Sequence, residues 1–152
     1  MIPRELASFL QEGLGIYVAT RNASLEPNGA HGVAALVDDA GAHLTVFVPA
    51  VAAARLLPDL QANGQVAVSF GRPTDNRACQ VKGTVIDTRD ARDDERSVVE
   101  TQCDGYVRSI ENIGISRAVT REWTRWPTVA ITLKATAVFN QSPGPSAGTA
   151  LS

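Results

Sequence analysis

A polar row within an otherwise apolar segment is the first feature of this sequence that could do chemistry. The stretch NRACQVKGTVIDT, residues 76–88, has the composition of a β-strand. Because a strand directs alternate side chains to opposite faces, one face carries Ala78, Gln80, Lys82, Thr84 and Ile86. An amide, an ammonium and a hydroxyl in one row either belong to an edge strand wetted by solvent or line a polar groove.

Other side chains could bind an anion such as a phosphate, which needs positive charge and hydrogen-bond donors together. An arginine offers a planar fork of donors, and a lysine offers a point charge. The candidates are Arg55, Arg72, Thr74 and Lys82. Each of these side chains can equally be a solvated surface group.

No catalytic signature accompanies these candidates. The sequence contains no phosphate-binding glycine loop, no GxGxxG and no recognisable Ser/His/Asp set. Its two cysteines, Cys79 and Cys103, are not clustered with each other or with His31 and His43, so we predict no metal site. Trp123 and Trp126 could stack on a flat ring or pack in a core.

The composition bounds the class of protein. The chain has 152 residues, 44% of them apolar, which fits one globular domain. The net charge of −2 gives no general attraction to nucleic acid or to an acidic membrane. The N-terminus lacks the pattern of a signal peptide, and no apolar run reaches the ~20 residues of a membrane span. We therefore expect a cytoplasmic protein with neither nucleic acid nor membrane as a partner.

Alternating patterns and turn residues predict six strands and two or three helices. Helices are predicted at residues 3–13, 51–64 (which Pro58 shortens or restarts) and 89–110; strands at 15–20, 31–39, 44–50, 65–71, 77–88 and 127–141. This order predicts a mainly β fold, an antiparallel six-stranded barrel with peripheral helices. Residues 1–141 form the domain, and the Pro/Gly/Ser-rich residues 142–152 form a flexible C-terminal tail. A closed barrel has few edges, which favours the groove over the edge strand.

The order of elements resembles that of the pyridoxamine 5′-phosphate oxidase-like family, which has the FMN-binding split-barrel fold. The resemblance covers roughly residues 1–145. Three stretches carry it: VATRN before a Pro/Gly turn, LQANGQVAVSF at the exit of the middle helix, and QVKG on the fifth strand.

The resemblance implies a homodimeric flavoprotein with FMN at the subunit interface and a small-molecule substrate. It also implies a flavin-dependent oxidoreductase that transfers a hydride at flavin N5. The residues that match cofactor-binding positions of the family are Arg55, Lys82, Gln80, Ser69, Arg72, Thr74, Thr20, Arg21 and Trp126. Trp123 falls in the same C-terminal segment as Trp126, which in the family can reach the partner's site.

The sequence also departs from pyridoxamine phosphate oxidases. The end of the chain, FNQSPGPSAGTALS, lacks their arginine-rich segment for the substrate phosphate, and HGVAALV lacks their basic cluster for the FMN phosphate. The substrate is therefore left open, and two alternatives to FMN-dependent catalysis remain. One is a deazaflavin-dependent oxidoreductase. The other is a non-catalytic flavin- or haem-binding module, for which His31 is the candidate haem ligand.

Overall fold

The computed structural model describes residues 1–151 of the chain. The helices are α1 (Arg4–Leu10), α2 (Ala50–Ala53), α3 (Leu57–Asn63), α4 (Arg96–Glu111) and α5 (Arg117–Thr120). The strands are β1 (Gly15–Arg21), β2 (Pro27–Gly32), β3 (Ala34–Val37), β4 (His43–Pro49), β5 (Gln65–Gly71), β6 (Ala78–Asp90) and β7 (Thr128–Asn140). None of the helices within residues 1–151 is long and apolar enough to cross a bilayer.

All seven strands form one antiparallel sheet in the order β2-β1-β5-β6-β7-β4-β3. The long strand β6, which carries the polar row of the sequence, lies between β5 and β7 in the middle of this sheet. The edge-strand explanation for Gln80 and Lys82 is therefore wrong. Their face of β6 is nevertheless open to solvent, since Lys82 is exposed and Gln80 half-buried, whereas Cys79 and Val81 are buried.

The predicted split barrel is confirmed, with seven strands instead of six. The segment predicted as one strand at residues 31–39 contains the end of β2 and all of β3, because the strand is interrupted at Val33. Because Gly32 has no side chain, the interruption at Val33 can lie close to the rest of the barrel. A Cβ atom there would come within 2.7 Å of Ile16 Cγ2 and 3.1 Å of Val46 Cγ1. The two ends of the sheet thus meet around Gly32, and the sheet curls.

The predicted middle helix is two short helices, α2 and α3. Pro58 lies in the first turn of α3, where its missing N–H removes no helical hydrogen bond. Gly64 ends α3 with a φ of +67°, a left-handed conformation that glycine adopts without the strain of a Cβ atom. Two alternatives were open for Pro58, a shortened helix or a helix that begins anew at this residue. The second is confirmed.

Two apolar clusters hold the elements together. The larger fills the inside of the curled sheet and is closed at one end by α1; it includes Phe9, Leu10, Ile16, Val68 and Phe70. The smaller lies outside the sheet beneath α4 and includes Ala34, Phe47, Val99, Cys103 and Ala130. Helix α4 is therefore fixed against the outer surface of β3, β4 and β7.

A buried glutamine joins α4 to the edge of the sheet. Gln102 Nε2 donates to the carbonyl oxygen of Ala35 at 2.8 Å, and Gln102 Oε1 accepts from the Ala35 N–H at 2.9 Å. Strand β3 is an outermost strand, so these two backbone groups point away from its partner β4. The amide satisfies both groups where no further strand is present.

The segment after β7 turns back along that strand. The Gly148 N–H donates to the Asn140 carbonyl and the Leu151 N–H to the Val138 carbonyl, both at 2.7 Å. Apart from the half-buried Ser142, the side chains of residues 141–151 are exposed, so the segment is held by hydrogen bonds, which include those of the Ser142 and Asn140 side chains. The flexibility of residues 142–152 stays a prediction.

Candidate functional site

A cavity of about 580 Å³ lies on the outside of the barrel. It is enclosed by the end of β2, by α2, by α4 and by the segment that joins α5 to β7. Its apolar lining includes Leu14, Val33, Ala52, Cys103 and Val107, and its polar and aromatic lining includes His31, Arg55, Tyr106, Trp123 and Arg125. Pockets for small ligands and cofactors have this size and this mixture of an apolar wall with a few polar groups.

Arg55 contributes an unneutralised positive charge to the cavity. It follows α2, and its guanidinium makes one long hydrogen bond, from Nη2 to the Gly29 carbonyl oxygen at 3.5 Å. No carboxylate of residues 1–151 forms an ion pair with it, in contrast to Arg125. A planar fork of donors that is free of protein anions can bind an anionic ligand.

Arg125 lines the same cavity, but its charge is already neutralised. Its Nη1 lies 2.6 Å from Asp104 Oδ1 and 3.3 Å from Glu100 Oε2. The hydrogen bond from Arg125 holds the pKa of Asp104 below its usual value. An anionic ligand would therefore be drawn to Arg55 more than to Arg125.

Two aromatic rings form one wall of the cavity. The rings of Tyr106 and Trp123 stack with centroids 6.0 Å apart and planes inclined by 23°. Burial raises the pKa of the Tyr106 phenol, so it stays neutral at physiological pH. Trp123 is 44% exposed, so part of its indole is available to a ligand. A flat ring could stack on this wall.

Tyr106 also borders a second, shallower cavity of about 340 Å³. The floor of that cavity consists of three small residues that lie side by side on β1, β5 and β6, namely Gly15, Gly71 and Ala78. A Cβ atom on Gly15 would lie 3.2 Å from the Tyr106 hydroxyl oxygen, so the phenol ring rests directly on β1.

The polar row of the sequence continues across five strands. His31, Tyr17, Ser69, Gln80 and Phe139 face one another in register on β2, β1, β5, β6 and β7, and we call them the outer row. The rings of Tyr17 and His31 lie 4.3 Å apart, and Gln80 Nε2 donates to Ser69 Oγ at 3.1 Å. His31 also lines the large cavity, so the outer row leads into it.

The structure brings four of the nine predicted site residues to this region. Arg55 lines the cavity, Ser69 and Gln80 lie in the outer row, and Lys82 is the next outward residue of β6. The Lys82 ammonium lies 5.1 Å from the centre of the Phe139 ring and has no ion-pair partner among residues 1–151. Of these four residues, Arg55 lines a cavity, whereas Ser69, Gln80 and Lys82 lie on the open outer face of the sheet, so the groove lined by Gln80 and Lys82 stays a prediction.

Two residues of β1 lie elsewhere. Thr20 is buried on the inner face, where its hydroxyl donates to Asp59 Oδ2 at 2.7 Å. Thr20 and Arg21 were both predicted near the cofactor ring, but neighbouring residues of a strand point to opposite faces. Arg21 is on the outer side, and its Nη2 donates to Gln65 Oε1 at 2.8 Å.

The three remaining predicted residues lie away from the large cavity. Arg72 is bound by Glu12 and Asp75, each at 2.7 Å, and its hydrogen bond lowers the pKa of Asp75 to about 2. Thr74 is exposed in the same loop after β5. Trp126 is half-buried against the cluster beneath α4, not against the cavity.

Sequence reasoning missed two aromatic residues of this region. Tyr17 occupies an outward position between the buried Ile16 and Val18 and is 53% exposed. The strand alternation predicts this orientation, and an exposed tyrosine there was the signal. Tyr106 lies on the charged helix α4, where no periodic pattern distinguishes a ligand-facing ring from a packed one.

The comparisons with known proteins support the fold. No family model and no curated sequence matches the chain. HupZ of Group A Streptococcus is 16% identical and has a TM-score of 0.57, covering 97% of this chain and 100% of its own. An F420 reductase is 20% identical with a TM-score of 0.56, covering 90% and 98%.

A putative pyridoxamine 5′-phosphate oxidase from Lactobacillus delbrueckii is 15% identical with a TM-score of 0.56, covering 92% of its chain and 90% of this one. Similarity at these levels of identity establishes a shared fold. The chain therefore has the split-barrel fold of pyridoxamine 5′-phosphate oxidase-like proteins, as the order of its elements predicted.

Proposed function

We propose that this protein binds a flavin-type cofactor, FMN in the first instance, and is a flavin-dependent oxidoreductase acting on a small molecule. One observation carries the proposal. The unpaired guanidinium of Arg55 and the stacked rings of Tyr106 and Trp123 line the same 580 Å³ cavity. A phosphate-bearing ligand with a flat ring requires such a combination.

The residues present fit FMN. Its phosphate needs a cation and donors, which the fork of Arg55 supplies. Glu122 also lines the cavity, but its carboxylate lies 3.9 Å from Arg121 and forms no ion pair with Arg55. Its ring system is a flat apolar body with polar rims, which suits an aromatic wall beside apolar side chains. That two proteins of this fold are described as an F420 reductase and a putative pyridoxamine 5′-phosphate oxidase also supports a redox cofactor of the flavin type.

In this proposal the cofactor and the protein have separate chemical roles. A bound flavin supplies hydride transfer at N5. The protein binds and orients the cofactor through Arg55, and the wall of Tyr106 and Trp123 excludes water from one side of the ring. Gln80, which donates to Ser69 Oγ, lies in the outer row three strands from His31 and does not line the cavity. His31 adds an imidazole to the lining, and its ring nitrogens can take part in hydrogen bonds.

We also propose that a second copy of the chain completes the site by packing against the outer row. Tyr17 is 53% exposed on this surface beside the small side chains of Ala19 and Ala67, and Phe139 lies on the same surface three strands away, on β7. An exposed surface of aromatic and small side chains with few charges is typical of a protein interface. The outer row enters the cavity at His31, so a partner placed here would border the cofactor.

Two other ligands have a specific observation in their favour. A deazaflavin has a similar flat ring system and a longer acidic tail, and an F420 reductase shares this fold. Lys82 has no ion-pair partner among residues 1–151 and could meet such a tail. A haem-binding module is the other candidate, because His31 is the imidazole that lines the cavity.

The test is to identify the ligand that purifies with the protein and to titrate the ligand-free protein with FMN, F420 and haem. We expect a yellow preparation, tightest binding of FMN, and weaker FMN binding by about tenfold or more in Arg55→Ala. Arg4→Ala is the matched control, because Arg4 is exposed on α1 and also lacks an ion pair within residues 1–151. A colourless protein that binds no flavin would contradict the proposal.

A further inference from the structure

Arg55 is held at two points by a short piece of β2. Asn28 Nδ2 donates to the carbonyl oxygen of Arg55 at 2.5 Å, which anchors its backbone. The carbonyl oxygen of Gly29 accepts from Arg55 Nη2 at 3.5 Å, which directs the guanidinium. The two contacts come from consecutive residues of one strand, so they fix the backbone and the side-chain end of Arg55 relative to the same element.

Asn28 itself is oriented by the chain around it. Its Oδ1 accepts from the Gly29 N–H at 3.0 Å, which leaves Nδ2 directed at Arg55. Asn28 is half-buried and does not line the cavity. Its amide therefore acts on a ligand through Arg55 and not by direct contact.

The backbone around Arg55 is anchored on both sides, since Ala53 and Leu56 are fully buried and the Leu56 N–H donates to the Ala53 carbonyl at 2.8 Å. Arg55 itself is exposed between α2 and α3, and its own N–H makes a long hydrogen bond of 3.3 Å to the Ala52 carbonyl. The two contacts from β2 therefore orient an exposed residue within an anchored connection, and the fork of an arginine binds a phosphate well only when its direction is maintained.

We propose that Asn28 is a positioning residue for the anion-binding arginine and so sets the preference of the cavity for phosphorylated over unphosphorylated flavin. The inference rests on the proposed flavin binding. It adds a residue for which neither the sequence patterns nor the family resemblance provided a signal. Asn28 increases the affinity for FMN, which carries a phosphate, and leaves the affinity for riboflavin, which does not, almost unchanged.

The test compares FMN with riboflavin on the ligand-free full chain, using quenching of flavin fluorescence. In Asn28→Ala we expect the ratio of FMN to riboflavin affinity to fall by about threefold to tenfold, with riboflavin affinity nearly constant. In Asn28→Asp we expect a larger fall, because the new carboxylate would repel the Arg55 carbonyl oxygen and compete with the phosphate for the guanidinium.

Asn63→Ala is a closely matched control. Asn63 Nδ2 donates to the carbonyl oxygen of Arg21 at 2.8 Å, the same type of contact to an arginine that does not line the cavity. We expect it to leave the ratio unchanged. Circular dichroism confirms that each variant is folded before titration, and Asn28→Ser provides a second, milder variant.

The outcomes separate this inference from the proposed function. If the wild-type protein binds no flavin, or binds FMN no better than riboflavin, the proposed phosphate site at Arg55 is wrong and the role of Asn28 is lost with it. If the wild type prefers FMN and Asn28→Ala keeps that preference, only the role of Asn28 is wrong. The role of Asn28 is also wrong if Asn63→Ala lowers the ratio of FMN to riboflavin affinity as much as Asn28→Ala does.

Discussion

His31 and Tyr17 lie in register on β2 and β1, and their rings pack 4.3 Å apart at an angle of 48°. One ring lines the large cavity and the other lies 53% exposed on the outer surface of the sheet. The pair therefore connects the candidate cofactor cavity to the proposed interface between two copies of the chain. A change at either ring is expected to affect both.

Replacing Tyr17 by glutamate should separate the two copies. A carboxylate in the outer row would lose its hydration when a second copy packs against this surface. We expect Tyr17→Glu to be a monomer by light scattering at concentrations where the wild type is a dimer. Leu25→Glu is the control, because Leu25 is also exposed, at 69%, but lies in the turn before β2. A monomeric wild type, or two variants that behave alike, would argue against this interface.

Replacing Thr20 by valine should lower stability and leave flavin binding unchanged. The Thr20 hydroxyl is the donor to the buried Asp59 carboxylate, and valine would leave that oxygen unpaired at a cost of ~1–3 kcal/mol. Urea unfolding measures the loss of stability, and Thr20→Ser, which keeps the hydroxyl, should lose less. Weaker FMN binding in folded Thr20→Val would instead support the earlier prediction that Thr20 lies near the cofactor ring.

Replacing Gln102 by alanine should loosen α4 from the sheet. The change would leave both the N–H and the carbonyl of Ala35 without their partner, and we expect a loss of ~2–4 kcal/mol in the free energy of unfolding. Because α4 carries Tyr106, amide exchange should also accelerate along the helix. Gln61→Ala is the control, since Gln61 is exposed on α3. Equal stability of the two variants would contradict this anchoring role.

Acid should weaken the contact between the β6–α4 connection and the sheet. The Arg89 guanidinium binds both carboxylate oxygens of the buried Glu95, at 2.7 and 2.8 Å, and holds its pKa below the usual 4.5. A carboxylate with a lowered pKa in the folded state contributes stability that is complete above its unfolded pKa and is lost as the pH falls through its folded pKa. We therefore expect the contribution of this pair to be full at pH 7 and to decline below about pH 4.5.

The measurement is the difference in melting temperature between the wild type and Glu95→Gln, recorded at pH 7 and at pH 3. The difference should be large at pH 7 and should shrink at pH 3. Glu5→Gln is the control, because the Glu5 side chain is 91% exposed and lies 3.8 Å from Arg77. A wild-type advantage over Glu95→Gln that is independent of pH would show that the ionised pair does not carry the effect.

Which residues share a face of each strand could be predicted from the amino-acid sequence alone. The alternation of residues 76–88 correctly placed Cys79 and Val81 inside and Gln80 and Lys82 outside. The order of strands and helices predicted an antiparallel barrel, and the family resemblance added that the barrel is split. These properties are local, because side-chain direction along a strand follows from the backbone of a few consecutive residues.

Which strands become neighbours and which side chains pack together depends on the tertiary structure. The central position of β6, the break at Val33 and the inward partner of Thr20 depend on residues far apart in the chain, such as Asp59, 39 positions from Thr20. The same holds for the cavity, where Arg55 from the middle of the chain faces Tyr106 and Trp123 from its last third. Pairing of distant segments is set by the packing of the whole core and not by local pattern, so spacing in the sequence could not specify it.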